Sequence, residues 1–67
     1  MDVVVNGQPR EVSNGMTVSQ LLEQLQVAPD RVVVEVNLTI LKRAQHAHTV
    51  LKEGDQVEIV QFVGGGS

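Results

Sequence analysis

A single amphipathic segment enclosed by β-branched runs constrains this chain more than any other feature of its sequence. Its apolar residues recur at the i, i+3, i+4 and i+7 spacing of one helix face: Val18, Leu21, Leu22 and Leu25. Thr17 and Gln20 have the residue types and spacing of a capping box, and Pro29 disfavours helical geometry in the residue before it. The pattern therefore predicts one helix over residues 17–26, with an apolar face that a sheet must cover.

The β-branched runs on both sides of this helix predict strands. Asn6-Gly7 is the strongest short hairpin signal, so the first two runs should form a hairpin. The predicted strands are residues 3–5, 10–12, 32–36 and 56–63, with shorter candidates at 38–41 and 49–51 and a helical turn within 42–47. The helical crossover should place the last strand alongside the first in parallel. We therefore predict an α+β fold of the β-grasp (ubiquitin-like) type, a mixed four- to five-stranded sheet with one main helix on one face.

The composition excludes several classes of function. The 67 residues include no cysteine, so a disulfide, a thiolate zinc site and a sulfhydryl nucleophile are impossible. A net charge of −3, with Phe62 as the sole aromatic residue, disfavours nucleic-acid binding. No apolar run approaches the roughly 20 residues that span a bilayer, and the first residues lack the basic start of a signal peptide. We therefore expect a small cytoplasmic domain that binds neither nucleic acid nor membrane.

No residue pattern indicates a metal or a catalytic site. His46 and His48 are separated by one residue, but zinc would need further ligands, and the sequence has no cysteine or third histidine. We therefore expect both histidines to be solvated loop residues. The acidic residues show no spacing typical of paired catalytic carboxylates. We predict no catalytic residue, no metal and no bound cofactor.

The sequence ends in three consecutive glycines, Gly64, Gly65 and Gly66, followed by Ser67. Glycine loses more backbone entropy on ordering than any other residue, so residues 64–67 are predicted to be a flexible tail after a domain of residues 1–63. A tail without side chains can thread a narrow channel in another protein and present its carboxylate there. The same composition is typical of linkers, so the tail alone leaves both interpretations open.

The end of the last strand supplies a candidate docking patch. If Val57 and Ile59 face the helix, strand alternation directs Val60 and Phe62 to the opposite face of the sheet. An apolar pair beside the tail, on an otherwise solvated face, is typical of a surface that docks a partner. The alternative is that Phe62 folds back over the edge of the core.

Across essentially its whole length the chain resembles the ThiS family, the sulfur carriers of thiamin thiazole synthesis. The matching segments are Asn6-Gly7, Thr17-Val18 before Leu21-Leu22, residues 34–37, the turn at residues 53–55, and residues 57–66. The Gly-Asp turn followed by a terminal strand and glycines is the most discriminating of these. The compact length favours ThiS over the longer molybdopterin carriers.

The resemblance implies a carrier protein, not an enzyme. A ThiF-like, E1-like adenylyltransferase would use ATP to adenylate the terminal glycine carboxylate. A sulfur donor such as a cysteine desulfurase would then convert it to a thiocarboxylate that supplies the thiazole synthase ThiG. Sulfur would be attached at Gly66, with Gly65 as the alternative terminus, and residues 64–66 would thread the partner's channel. The family pattern ends at glycine, so either a protease removes Ser67 to release Gly66, or Ser67 is an addition to the natural sequence.

Other functions share this fold and stay open. A ubiquitin-like modifier would undergo the same activation and then be ligated to lysines of other proteins. Carriers for molybdopterin synthesis or tRNA thiolation would deliver the sulfur elsewhere. An RNA-binding appendage of the TGS type is disfavoured by the acidic balance of the chain.

Overall fold

The computed structural model describes residues 1–61, which form a sheet covered on one face by a helix. The elements are β1 (Asp2–Val5), β2 (Gln8–Glu11), α1 (Val18–Leu25), β3 (Val32–Val36), β4 (Thr39–Leu41) and β5 (Gln56–Gln61), with 3-10 helices at Pro29–Arg31 and Arg43–His48. The five strands are ordered β2-β1-β5-β3-β4. β5 is parallel to β1, whereas the other neighbouring strands are antiparallel. This confirms the predicted β-grasp architecture, including the parallel pairing of the first and last strands.

The helix has the predicted caps at its N-terminus. The Gln20 backbone N–H donates to Thr17 Oγ1 at 3.2 Å, and the Thr17 N–H donates to Gln20 Oε1 at 2.9 Å. The pair therefore forms a reciprocal capping box. At the other end Gln26 adopts a left-handed conformation, with φ of 60°, which terminates the helix before Pro29. The predicted range 17–26 thus equals the observed helix plus its two cap residues.

The core lies between α1 and the covered face of the sheet. Its buried residues are Val3, Val5, Val12, Val18, Leu21, Leu22, Val32, Val34, Leu51 and Val57, with Leu25 and Ile59 packed partly buried against them. The predicted helix face and the predicted inward residues of the strands are therefore confirmed. The sequence analysis did not place Val12 or Leu51 in the core.

The segment around Leu51 is not the strand that the sequence predicts. Thr17 and Val50 form only an isolated bridge, and the Leu51 N–H donates to the Met16 carbonyl at 2.8 Å. These contacts attach the segment to the start of α1 instead of to an edge of the sheet. The side chain of Leu51 fills the core from there, 2% exposed.

His46 is buried, so the prediction of a solvated histidine is wrong for this residue. It is 3% exposed within the 3-10 helix Arg43–His48, which packs against α1. Its Nδ1 has no hydrogen-bond partner within the described chain. Burial, with the positive charge of Arg43 as a second cause, lowers the pKa of His46 below its ordinary value. His48 is exposed, as expected.

Candidate functional site

Strand β5 leads directly into the C-terminal segment that the sequence predicts to be functional. It lies at the centre of the sheet, next to β1 on one side and β3 on the other. Antiparallel pairing with β3 extends from Val57 to Gln61, whereas pairing with β1 covers only Gln56 and Val57. Beyond Val57, β5 is therefore paired with β3 on one side and needs other hydrogen-bond partners on the side of β1. These contacts set the position of Gln61, the last described residue.

Asn6 replaces β1 beside the second half of β5. Its backbone N–H donates to the Val57 carbonyl at 2.8 Å, and this is the last backbone hydrogen bond between β5 and the β1 segment. Its side-chain amide then binds both backbone groups of Ile59: the Ile59 N–H donates to Oδ1 at 2.7 Å, and Nδ2 donates to the Ile59 carbonyl at 3.2 Å. The amide thus occupies the place of a peptide group and extends the ladder by one rung.

Asn37 makes a similar contact at the start of β5, on the opposite edge. Its N–H donates to the Gln56 carbonyl at 2.7 Å, and its Oδ1 accepts from the Gln56 N–H at 2.9 Å. Its Nδ2 donates to Asp55 Oδ1 at 3.0 Å, while Asp55 Oδ2 accepts from the Lys52 N–H at 2.8 Å. The turn before β5 is therefore tied to the hairpin between β3 and β4.

The two asparagines have the same backbone geometry, with φ of 49° at Asn6 and 52° at Asn37. Each is the first residue of a two-residue hairpin turn, where positive φ is required and asparagine is well tolerated. The sequence analysis used Asn6 only as a turn signal and missed both side chains as clamps on β5. The available signal was an asparagine directly after each of two β-branched runs.

The docking patch predicted at Val60 and Phe62 is described only in part. Val57 is 1% exposed and Val60 is 58% exposed, so the predicted alternation of β5 is confirmed. Phe62 lies outside the described residues, as do Gly64, Gly65, Gly66 and Ser67. Docking and sulfur attachment at these positions therefore remain predictions.

A groove of about 370 Å³ opens beside the end of β5, on the side of the sheet that carries the helix. Its lining residues are Val5, Asn6, Gln8, Pro9, Arg10, Leu25, Val27, Ile59 and Gln61. Five of these nine lining residues are apolar, and Arg10 is the charged one. The C-terminal end of β5 is therefore bordered by this groove on one face and by Val60 on the other.

Residues 1–61 include no group of three or more histidines, cysteines or acids that could hold a metal ion. No helix in the same range is long and apolar enough to cross a membrane.

The sequence profile of the ThiS family matches residues 3–66, so the chain belongs to the ThiS family. The crystal structure of a thiamine biosynthesis protein (ThiS) from Geobacter metallireducens superimposes with a TM-score of 0.84 at 40% identity. That match covers 98% of this chain and 100% of the Geobacter chain. The resemblance found in the sequence and the β-grasp fold are both confirmed.

Two further kinds of relative have different lengths. The sulfur carrier protein ThiS of Escherichia coli is 33% identical over 66 residues, 98% of this chain and 100% of its own length. A thiazole synthase of Paramagnetospirillum magneticum is 45% identical over 67 residues, all of this chain but 21% of that protein. A thiazole synthase of Magnetococcus marinus matches at 41% identity over 20% of its length. The chain thus spans about a fifth of the thiazole synthases that it matches.

Proposed function

We propose that this chain is a sulfur carrier protein whose terminal glycine carboxylate is activated and converted to a thiocarboxylate for thiamin thiazole synthesis. The observation that carries the proposal is the match to the ThiS family through residue 66, which includes all three glycines. The full-length match to the Escherichia coli sulfur carrier supports it. The absence of cysteine from the sequence also supports it, because only the main-chain carboxylate is then available to carry sulfur.

The chemistry requires a partner enzyme, because the chain is a protein cosubstrate. A carboxylate oxygen of Gly66 attacks the α-phosphorus of ATP on a ThiF-like, E1-like adenylyltransferase, and pyrophosphate leaves. A sulfur donor such as a cysteine desulfurase carries a persulfide, whose terminal sulfur displaces AMP from the acyl carbon. A thiol reductant then cleaves the resulting acyl disulfide and leaves the thiocarboxylate on the chain. The resulting thiocarboxylate is the nucleophile that a thiazole synthase, ThiG, accepts. We place these steps in the cytoplasm.

The proposed roles of the residues follow from their positions. Gly66 carries the sulfur, or Gly65 if the chain is trimmed further, and Gly64, Gly65 and Gly66 thread the partner's channel because they have no side chains. Val60, 58% exposed beside the end of β5, contributes to docking together with Phe62. The clamp of Asn6 on Ile59 sets the direction of β5, so that the tail and the docking patch reach the partner together.

Adenylation by a purified ThiF-like enzyme tests the proposal. Chains ending at Gly65, Gly66 and Ser67 are compared by ATP–pyrophosphate exchange. One additional residue shifts the carboxylate by up to about 3.6 Å. Attack needs the reacting atoms within about 3–3.5 Å of each other, so the chain ending at Ser67 should be inactive. The substitution Gly66→Val in the trimmed chain should suppress the reaction while the far-ultraviolet spectrum stays unchanged. Equal rates for the Gly66 and Ser67 termini would contradict the proposal.

Mass spectrometry separates the carrier from a ubiquitin-like modifier. With a sulfur donor present, the trimmed chain should gain the mass that results from replacing one oxygen by sulfur. Covalent adducts of high mass with other proteins would instead indicate a modifier.

Phe62→Ala and Val60→Ala should raise the KM for the carrier and leave kcat mostly unchanged, since they alter docking and not the bound carboxylate.

A further inference from the structure

The hairpin between β3 and β4 has a residue that its turn does not favour. Asn37 and Leu38 connect Val36 to Thr39 with φ of 52° and 71°, so both turn residues are in the left-handed region. The hairpin between β1 and β2 has the same geometry, but its second turn residue is Gly7 with φ of 80°. Leucine is disfavoured at such a position, because its Cβ crowds the neighbouring carbonyl. Local stability therefore does not explain Leu38.

Leu38 also points into solvent. It is 89% exposed, the largest exposure among the large apolar residues of the described chain, and Ile40 on the adjoining strand is 63% exposed. Beside Leu38 lies a groove of about 410 Å³ lined by Asn37, Leu38, Gln56 and Glu58. A strained backbone that holds an apolar side chain in water is a reason to look for a binding role.

The residues around Leu38 and Ile40 form one row across three strands. Ile40 of β4 lies opposite Glu35 of β3, and Glu35 lies opposite Glu58 of β5. Residues directly opposite each other in a sheet point to the same face, so all three side chains are on the face that α1 leaves open. We call Leu38, Ile40, Glu35 and Glu58 the distal patch. Leu38 lies beside Gln56 at the start of β5, about 17 Å along the strand from Gln61. Glu58 is two residues from Val60 on the same face, so the distal patch extends from the far end of β5 towards Val60.

The charge of the open face identifies the kind of partner. Half of the eight acidic residues point to this face: Asp2, Glu11, Glu35 and Glu58. Among the five basic residues only Arg10 belongs to a strand, and its opposite neighbour Val3 places it on the covered face. The same face of a second copy, a nucleic acid and an anionic membrane would all be repelled by this surface.

We propose, building on the function above, that the distal patch docks a protein surface that carries an apolar pocket rimmed by lysine or arginine, on an enzyme that receives the tail. Leu38 and Ile40 fill the pocket, and Glu35 and Glu58 pair with the basic rim. The carrier is then held along one face of its sheet, from Leu38 at the start of β5 to Val60 beside the tail. Contact at both ends orients β5 before the tail enters its channel.

The test measures the dissociation constant of the chain ending at Gly66 for two enzymes in turn: a ThiF-like adenylyltransferase and a thiazole synthase. Leu38→Gly should weaken binding to at least one of them by about tenfold, the usual effect of removing an anchor residue. Its melting temperature should be unchanged or higher, because glycine relieves the left-handed turn. Leu38→Asn tests the same point without added backbone freedom. Val50→Ala is the matched control, since Val50 is 50% exposed beside the start of α1.

The basic rim is tested by the combined substitution Glu35→Gln and Glu58→Gln. Removing both charges should weaken binding at low salt and flatten its salt dependence. Glu23→Gln on the exposed side of α1 is the control and should change neither. At saturating carrier the rate of adenylation should stay unchanged in the two control variants, Val50→Ala and Glu23→Gln.

The outcomes separate this inference from the proposed function. If the Leu38 and glutamate variants bind both enzymes as tightly as the parent chain while adenylation proceeds, the docking role of the distal patch is wrong and the carrier function stands. If the parent chain binds but forms no adenylate or thiocarboxylate, the carrier function fails, and the binding data still decide the role of the patch. If the parent chain binds neither enzyme, both proposals fail.

Discussion

One face of the sheet is buried against α1, and the other carries acidic and apolar side chains that point away from it. On the covered face Val3 and Val34 are fully buried, and each neighbour along the strand turns outward. On the open face Glu35 lies opposite Glu58, an arrangement of like charges that destabilises a sheet. Residue types on the covered face are explained by the stability of the fold. Those on the open face fit the docking role that we propose for this surface.

The two hairpin turns also differ in whether their residues suit the stability of the fold. Asn6-Gly7 has the residues that its geometry prefers, and the side chain of Asn6 holds β5 in place. Asn37 holds β5 just as well, but Leu38 follows it where glycine would be preferred. Clamping of β5 is thus common to both turns. The departure from local preference is confined to the turn that adjoins the open face.

Truncation of a core residue on the covered side should have the largest effect. Leu22 is fully buried under the sheet, so Leu22→Ala should lower the free energy of unfolding by about 2–5 kcal/mol, enough to unfold so small a domain. Val60→Ala on the open face should change it by less than about 0.5 kcal/mol. Urea denaturation monitored by circular dichroism compares the two. Similar losses in both variants would contradict the division between the faces.

Release of β5 from its clamp should have the next largest effect. Asn6→Ala leaves two backbone groups of Ile59 without their partner and places alanine at positive φ, so we expect a loss of about 1–3 kcal/mol. The Ile59 amide should also exchange its hydrogen faster than the amides that pair β3 with β5. Asn14→Ala, at an exposed asparagine outside the sheet, is the control. Unchanged exchange at Ile59 would show that the amide contact does not hold the strand.

Sequence patterns predicted the regular helix and strands and their buried residues, but not the core contributions of Val12 and Leu51 or the side-chain contacts between strands. The helical spacing of Leu21, Leu22 and Leu25 and the β-branched runs determine burial directly, because both reflect contact with one core. His46 was misjudged because a short 3-10 helix has no apolar period, and only packing against α1 reveals its burial. The clamps were missed because hydrogen bonds between residues 6 and 59 depend on which strands become neighbours. The candidate site was predicted from Val60 and the glycines, and no local pattern distinguished Leu38.

Burial of His46 on the covered side predicts that the stability of the domain depends on pH. Its pKa is lowered in the folded protein, so the unfolded chain binds the proton more readily. Stability should be fully present above the ordinary histidine pKa of 6.5 and should fall as the pH drops through the lowered folded-state pKa. His46→Leu should flatten this pH dependence of the urea midpoint, whereas His48→Gln in the same 3-10 helix should preserve it. An equal pH dependence after His46→Leu would assign the effect to other groups.

The smallest effect should have the opposite sign and lie on the open face. Glu58→Gln removes one of two like charges that oppose each other across β3 and β5, so it should stabilise the domain by about 0.2–1 kcal/mol. The gain should shrink as salt is added, because the pair is partly exposed and its repulsion is screened. Glu23→Gln, on α1 and not in the sheet, should give no such gain. A loss of stability in Glu58→Gln would mean that the glutamate stabilises the fold. Residue types on the open face would then be explained by stability, as they are on the covered face. A gain in stability accompanied by weaker partner binding would show that this face trades stability for recognition.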